Sequence, residues 1–198
     1  MGKFIIIREA RCSFPQLYGP GTMPDGSQVK PGITLVLEQD KHASAIAEIE
    51  AEKDRIIAEN PALKKNPPSG ERLCLREPNR EELKYKPGNQ ILKANSNKPP
   101  LVLHPDGKTE MTEATDKIYS GCYVNAKIEL WGQSNQYGRR VNAKIVAVQF
   151  VPIDADSFDG SYVSPEEAME GFGSLQDDSA DAFLGDAPAT VTGNPLLD

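Results

Sequence analysis

Histidine and cysteine are scarce in this chain, and their scarcity excludes several chemistries at once. His42 and His104 are the only histidines. Neither has a Cys, His or acidic partner at metal-ligand spacing, so each reads as a surface residue. Cys12, Cys74 and Cys122 are odd in number and far apart, with no CxxC pair, which argues against a zinc site and for a reducing compartment. Long apolar runs are missing too. The opening MGKFIIIREA holds four consecutive apolar residues, too few for a signal-peptide core, and Ile6 departs from the myristoylation pattern. No other run approaches membrane length, so no membrane partner is expected. The nucleophile elbow, the Walker loop and the dinucleotide fingerprint are all absent. Asp154, Asp156 and Asp159 have half the spacing of a calcium loop, but Gly160 and the lack of a closing Glu break it. With no catalytic constellation, no metal site and no cofactor motif, the chain reads as a binding protein rather than an enzyme.

Basic residues are absent from one end. Residues 153–198 carry 11 acidic groups and no Lys or Arg, whereas residues 1–152 hold all 22 Lys and Arg against 18 acids. The net charge of −7 therefore conceals a mildly basic body with an acidic tail, an asymmetry that points toward nucleic acid. At 198 residues, with 38% hydrophobic content and a mean hydropathy of −0.48, the chain supports one domain with an appended segment that does not pack. The expected boundary falls between residues 152 and 153.

What is present centres on residues 118–150, IYSGCYVNAKIELWGQSNQYGRRVNAKIVAVQF. Val124, Ala126, Ile128 and Leu130 alternate with Tyr123, Asn125, Lys127, Glu129 and Trp131, the pattern of a half-buried strand. Val141, Ala143 and Ile145 alternate likewise with Arg140, Asn142 and Lys144. The phase then slips to Val146, Val148 and Phe150, which predicts a bulge or a strand end buried on both faces. The glycines bounding GQSNQYG predict a loop with positive backbone dihedrals at both ends. The polar face shows Tyr123, Asn125, Lys127 and Trp131 on one strand and Arg140, Asn142 and Lys144 on the other. Tyr137 and Arg139 stand in the loop. Rings interleaved with cations and amides suit single-stranded nucleic acid, whose bases stack at roughly 1–3 kcal/mol each while phosphates meet Lys and Arg. The same pattern also fits a plain solvated sheet face.

The rest reads as short strands and one helix. Residues 3–8, 33–37, 72–76, 90–96 and 99–103 are strand segments, the last set off from the sheet by the HPDGK turn. Residues 43–59 form an amphipathic helix that stops at Asn60-Pro61 and is expected as an insertion over about 41–60. Phe14 and Tyr18, beside Arg11, either anchor a loop on the core or extend the binding surface. Lys84, Tyr85 and Lys86 form a small stacking-plus-charge triplet. Residues 153–198 read as disordered. Ser164-Pro165-Glu166-Glu167 has the form of a capping box, and Phe158, Tyr162, Phe172, Leu175, Phe183 and Leu184 are scattered hooks for a partner.

The run from YSGCYVNA through Trp131 to Asn135-Gln136-Tyr137-Gly138, with PPLVLHPDGK upstream, resembles a family of bacteriophage single-stranded-DNA-binding proteins. The resemblance covers about residues 4–150. It implies a mainly β chain, an OB-fold-like five-stranded antiparallel barrel with one inserted amphipathic helix and a disordered acidic C-terminal tail. It also implies a role like that of the T7-type phage proteins: coating and protecting single strands in replication and recombination, in the host bacterial cytoplasm. Tyr123, Lys127, Trp131, Tyr137 and Arg139 are carried onto the DNA-binding role. Acidic tails of the replication type occupy the basic groove when DNA is absent and recruit replication or recombination proteins. Such tails commonly end in an aromatic residue, whereas this one ends Leu196-Leu197-Asp198. The residues leave a second reading open, a non-enzymatic protein-interaction module acting as DNA mimic or replication adaptor. A homodimer is compatible with either.

Overall fold

The first strand organises the barrel because it pairs on both sides. Strand β1 (Phe4–Gln16) runs antiparallel to β4 (Gly32–Leu37) on one side and to β8 (Tyr123–Asn135) on the other. Its apolar run suggests a strand ending at Arg8, yet the strand continues for 13 residues. The register shifts between Ile7 and Ala10, with Glu9 at φ 50°, and this bulge returns Ala10 and Cys12 to the interior. The Glu9 amide, turned out of the ladder, donates to Asn125 Oδ1 at 2.8 Å.

The computed structural model describes residues 2–22, 25–78, 89–158 and Met169. Residues 1–162 form one unit and residues 163–198 another; the barrel and its helices belong to the first. After β1, a small ribbon of β2 (Gly21–Thr22) and β3 (Gln28–Val29) leads into β4. Helices α1 (Ala43–Glu59) and α2 (Pro61–Lys65) follow, then β5 (Leu75–Arg76), β6 (Gln90–Asn95), β7 (Leu101–Leu103), β8 and β9 (Gly138–Val151). β4 pairs with β6, and β8 with β9, both antiparallel. A parallel seam of β6 on β9 closes the ring. The circuit β1-β4-β6-β9-β8 is a closed five-stranded barrel of the OB type, antiparallel except at this seam. Far from being set apart by its turn, β7 pairs in parallel with β9 and extends the sheet.

Alternation decides what fills the barrel. Ile5, Ile7, Leu35, Leu37, Leu92, Ile128, Ile145 and Val148 are buried inside it, each worth roughly 1.5–3 kcal/mol relative to exposure. The phase slip in β9 is a bulge: Lys127 pairs with Ala147 and Ile128 with Ile145, leaving Val146 as the extra residue. Helix α1 covers one side of this core with Ile46, Ile49, Ile56 and Ile57. It ends at Asn60, whose side chain accepts from the Ala62 and Leu63 amides and so starts α2 rather than a loop. No helix among the described residues is long and apolar enough to cross a membrane.

Two sequence expectations need correcting. His42 is buried, at 4% exposure, and is not a surface residue. Its Nδ1 accepts the Glu38 amide at 2.9 Å and its Nε2 donates to the Arg8 carbonyl at 3.1 Å, tying the helix entrance to β1. Both ring nitrogens thereby have backbone partners. The loop between β8 and β9 shrinks to Gln136-Tyr137, because Gly132 lies within β8. Gly138 has the expected positive φ, at 107°. Gly132 is there for space: a Cβ would sit 2.8 Å from both Ile56 Cγ2 and Leu63 Cδ1, where α1 and α2 press on the strand. Gly132→Val should destabilise the domain by about 1–3 kcal/mol in urea unfolding; unchanged stability would contradict this packing.

Candidate nucleic-acid interface

The outward residues of β6 and β9 meet across the seam. On β6, Leu92 and Ala94 point inward, so Lys93 and Asn95 point out. On β9, Val141, Ala143 and Ile145 point inward, so Arg140, Asn142 and Lys144 point out. A cleft of about 430 Å³ lies between them, with Arg72, Arg76, Lys93 and Arg140 on its walls and Glu71 as its single carboxylate. Asn95 leads from it into a second cleft of about 690 Å³, lined by Lys30, Lys98, Lys144, Glu129 and Trp131, with Pro99 and Pro100 at its edge. Seven cations thus face two carboxylates along one path. Among the described residues no carboxylate pairs with Lys93, Arg140 or Lys144. Their charge is left to the solvent or to a ligand, which makes the path attractive to a polyanion.

Trp131 is the aromatic plane of this path. It opposes Asn142 across the β8–β9 ladder and remains 45% exposed, between inward Leu130 and the helix-covered Gly132. A tryptophan left half in water beside Lys144 has both a free ring face and a neighbouring cation. Tyr137, 76% exposed, stands at the hairpin tip, and its amide is fastened to Asn135 Oδ1 at 3.0 Å. Arg139 flanks it, partly buried. Asn142 donates to Gln133 Oε1 at 3.1 Å, which braces the hairpin.

The bulge at Val146 divides the face that the sequence presents as continuous. Trp131, Tyr137, Arg140, Asn142 and Lys144 lie on the seam side, whereas Arg139 shares the parity of inward Val141 and lines neither cleft. Tyr123, Asn125 and Lys127 lie on the far side, among different neighbours. Asn125 accepts the Glu9 amide and donates to Gln149 Oε1 at 2.9 Å, so both its polar atoms serve the sheet. Lys127 lies over the Phe4 ring at 4.6 Å, in a patch where Phe4, Ile6 and Leu101 are exposed. Tyr123 lies beneath two cations, Lys41 at 5.0 Å and Arg11 at 5.8 Å from the ring centre. Lys84, Tyr85 and Lys86 fall outside the described residues, as does the acidic stretch from 159 onward apart from Met169.

Sequence reading missed the wall opposite β9. Lys93 alternates with Leu92 and Ala94 in QILKANS, which is a signal for an outward cation, but nothing local places it beside Arg140. Arg72, Arg76, Lys30 and Lys98 come from loops and short elements whose approach depends wholly on the barrel. Of the two aromatics that follow Arg11, Tyr18 packs on the core. Phe14 does the opposite: it is 67% exposed at φ 49°, where β1 shifts register against β4. A bulky residue held in the left-handed region is a site worth a functional explanation.

Comparison with known proteins places this geometry. The solved structure of the single-stranded DNA-binding protein from bacteriophage Enc34 in complex with ssDNA is similar at a TM-score of 0.62 and 26% identity, over 76% of this chain and 87% of that one. Bacteriophage T7 gp2.5, a single-stranded DNA-binding protein, shares the fold at a TM-score of 0.52 and 15% identity, over 96% of this chain and all of that one. A protein designated p50 from Acyrthosiphon pisum secondary endosymbiont phage 1 is 32% identical over 176 residues, 84% of this chain and 92% of its own length. The family profile described as Enterobacter phage Enc34, ssDNA-binding protein, matches residues 3–184. The chain therefore belongs to the Enc34 family of phage single-stranded-DNA-binding proteins.

Proposed function

We propose that this chain binds single-stranded DNA without sequence preference, coating and protecting it in phage replication and recombination. The family is one of binding proteins, not enzymes. The observation that carries the reading for this chain is Trp131, half exposed beside Lys144 in a cleft that continues past Lys93 and Arg140, three cations with no carboxylate partner among the described residues. A base stacked on Trp131 is worth roughly 1–3 kcal/mol whatever its identity, because every base has a π face. Phosphates then meet Lys93, Arg140, Lys144 and the arginines of the β5 side. Tyr137 and Phe14 are further stacking rings and Arg139 and Asn142 frame the hairpin. Lys127 lies beyond the bulge over the Phe4 ring and is not part of this track. Duplex DNA keeps its bases stacked on each other and cannot use these rings, so single strands are preferred.

The acidic residues 153–198 are the segment we assign to partner recruitment and to competition for the cleft cations, supported by 11 carboxylates tethered to a basic body. Self-association into a homodimer is supported by the exposed Phe4, Ile6 and Leu101 on the outer sheet. Three free thiols support the host cytoplasm as the working compartment.

Fluorescence anisotropy with a labelled oligo-dT of roughly 30 nucleotides tests the reading. Affinity should fall with salt at a slope of roughly −0.7 per phosphate neutralised, and a duplex of equal length should bind far more weakly. Equal affinity for duplex would contradict the stacking account. Trp131→Ala should weaken binding by roughly 1–3 kcal/mol with its melting transition intact; loss of that transition would make Trp131 a core residue. Lys93→Ala should flatten the salt slope by about 0.7 while leaving stability within roughly 0.5 kcal/mol. Deleting residues 159–198 should tighten binding at low salt and change little at high salt; no change at low salt would remove the competition.

A further inference from the structure

Past β9 the chain does not leave the barrel at once. Residues 153–158 run back over it as a strap fastened mostly through main-chain atoms. Tyr119 Oη donates to the Ala155 carbonyl at 2.6 Å, Ser157 Oγ donates to the Ser120 carbonyl at 3.1 Å, and the Phe158 amide donates to the same carbonyl at 3.0 Å. The Phe158 ring lies on the outer face of β4 and β6, packed against Val36 and Ile91. Above it stands the Arg11 guanidinium, 4.2 Å from the ring centre. Arg11 is held in place by two backbone carbonyls, donating from Nε to Gly121 at 2.8 Å and from Nη2 to Asp156. Its other aromatic neighbour is Tyr123.

This seat adjoins the cationic cleft. Ile91 is the ladder partner of Arg76, and Lys93 is the next outward residue on β6. Arg76 and Lys93 line the cleft. A flat apolar floor, a fixed guanidinium plane stacked on a ring, and a tyrosine close by make a receptor for a neutral aromatic ring. The ring of Phe158 is about the size of a pyrimidine base.

We propose that Arg11, Tyr123, Val36 and Ile91 form a nucleobase-stacking subsite at one end of the cleft, and that Phe158 stands in for the base when no DNA is bound. The inference rests on single-strand binding by the cleft. Because the strap is held through residues 155–158 of the main chain, the Phe158 side chain leaves the seat by rotating about χ1, and the strap stays docked. The subsite then adds one stacked base to the track that passes Lys93 and Trp131.

The test uses the full chain and oligo-dT carrying 5-iodouracil. Phe158→Ala empties the seat, so its apparent Kd should fall on the order of three- to tenfold, the factor that one cation–π stack represents. Photocrosslinking to Tyr123, mapped by mass spectrometry, should rise in parallel. Arg11→Ala in the Phe158→Ala background should abolish the gain. A folded Phe158→Ala protein with unchanged or weaker binding, or no crosslink to Tyr123 in either protein, overturns the subsite and makes the strap purely structural. Absence of any binding by the wild-type chain instead refutes the cleft reading on which the subsite depends.

Discussion

Two residue pairs close the barrel, Ala94 with Ala143 and Asn95 with Lys144, and the proposed DNA track depends on that short parallel seam. The small side chains of Ala94 and Ala143 let β6 and β9 approach, and their burial turns Lys93, Asn95, Asn142 and Lys144 outward on both sides of the joint. A longer seam would bring these cations into one flat ladder. Here the strands diverge and residues 73–74 bridge them, the Cys74 amide donating to the Val141 carbonyl at 2.8 Å and the Lys93 amide to the Cys74 carbonyl at 2.9 Å, which brings Arg72 and Arg76 to the cleft. Fold closure and charge convergence are therefore one event, since the cations oppose each other only once the barrel is shut.

The bulges serve the same geometry. Val146 in β9 separates the Trp131 side of the outer face from the Lys127 side. The bulge at Glu9 lies in the half of β1 that pairs with β8; from Arg11 onward the strand pairs with β4, which places Arg11 over the outer face of that strand. Gly132 lets α1 and α2 press on β8 immediately beside Trp131, so the exposed ring has a firmly packed neighbour. Strands β6, β8 and β9 thus carry Lys93, Trp131, Arg140 and Lys144, while loops and short elements supply Tyr137, Lys30, Lys98 and Arg72.

Period-two alternation made β8 and most of β9 legible from residues alone, down to the phase slip that the structure resolves as the Val146 bulge. The helix over 43–59 was legible from its isoleucine spacing, and resemblance to phage binding proteins supplied the barrel. Local pattern carries no information on long-range register, and the gaps in the reading follow from that. Lys93 reads as an outward cation, but its approach to Arg140 needs the parallel seam. His42 reads as a surface residue because nothing nearby in sequence shows the Arg8 carbonyl that buries it. Asn125 reads as a ligand-binding amide, while its partners Glu9 and Gln149 are more than twenty residues away on other strands. Phe158 sits in a composition that resembles a tail, and its seat on Val36 and Ile91 appears only in three dimensions.

The central claim is that single-stranded DNA follows the seam between β6 and β9 and not the exposed patch of Phe4, Ile6 and Leu101. Hydroxyl-radical footprinting of side chains with and without oligo-dT separates these surfaces, because each carries exposed reactive rings. Protection of Trp131 and Tyr137, with Phe4 and Leu101 unchanged, is the predicted result. Protection of Phe4 and Leu101 with Trp131 still fully reactive would contradict it and move the DNA to the opposite face.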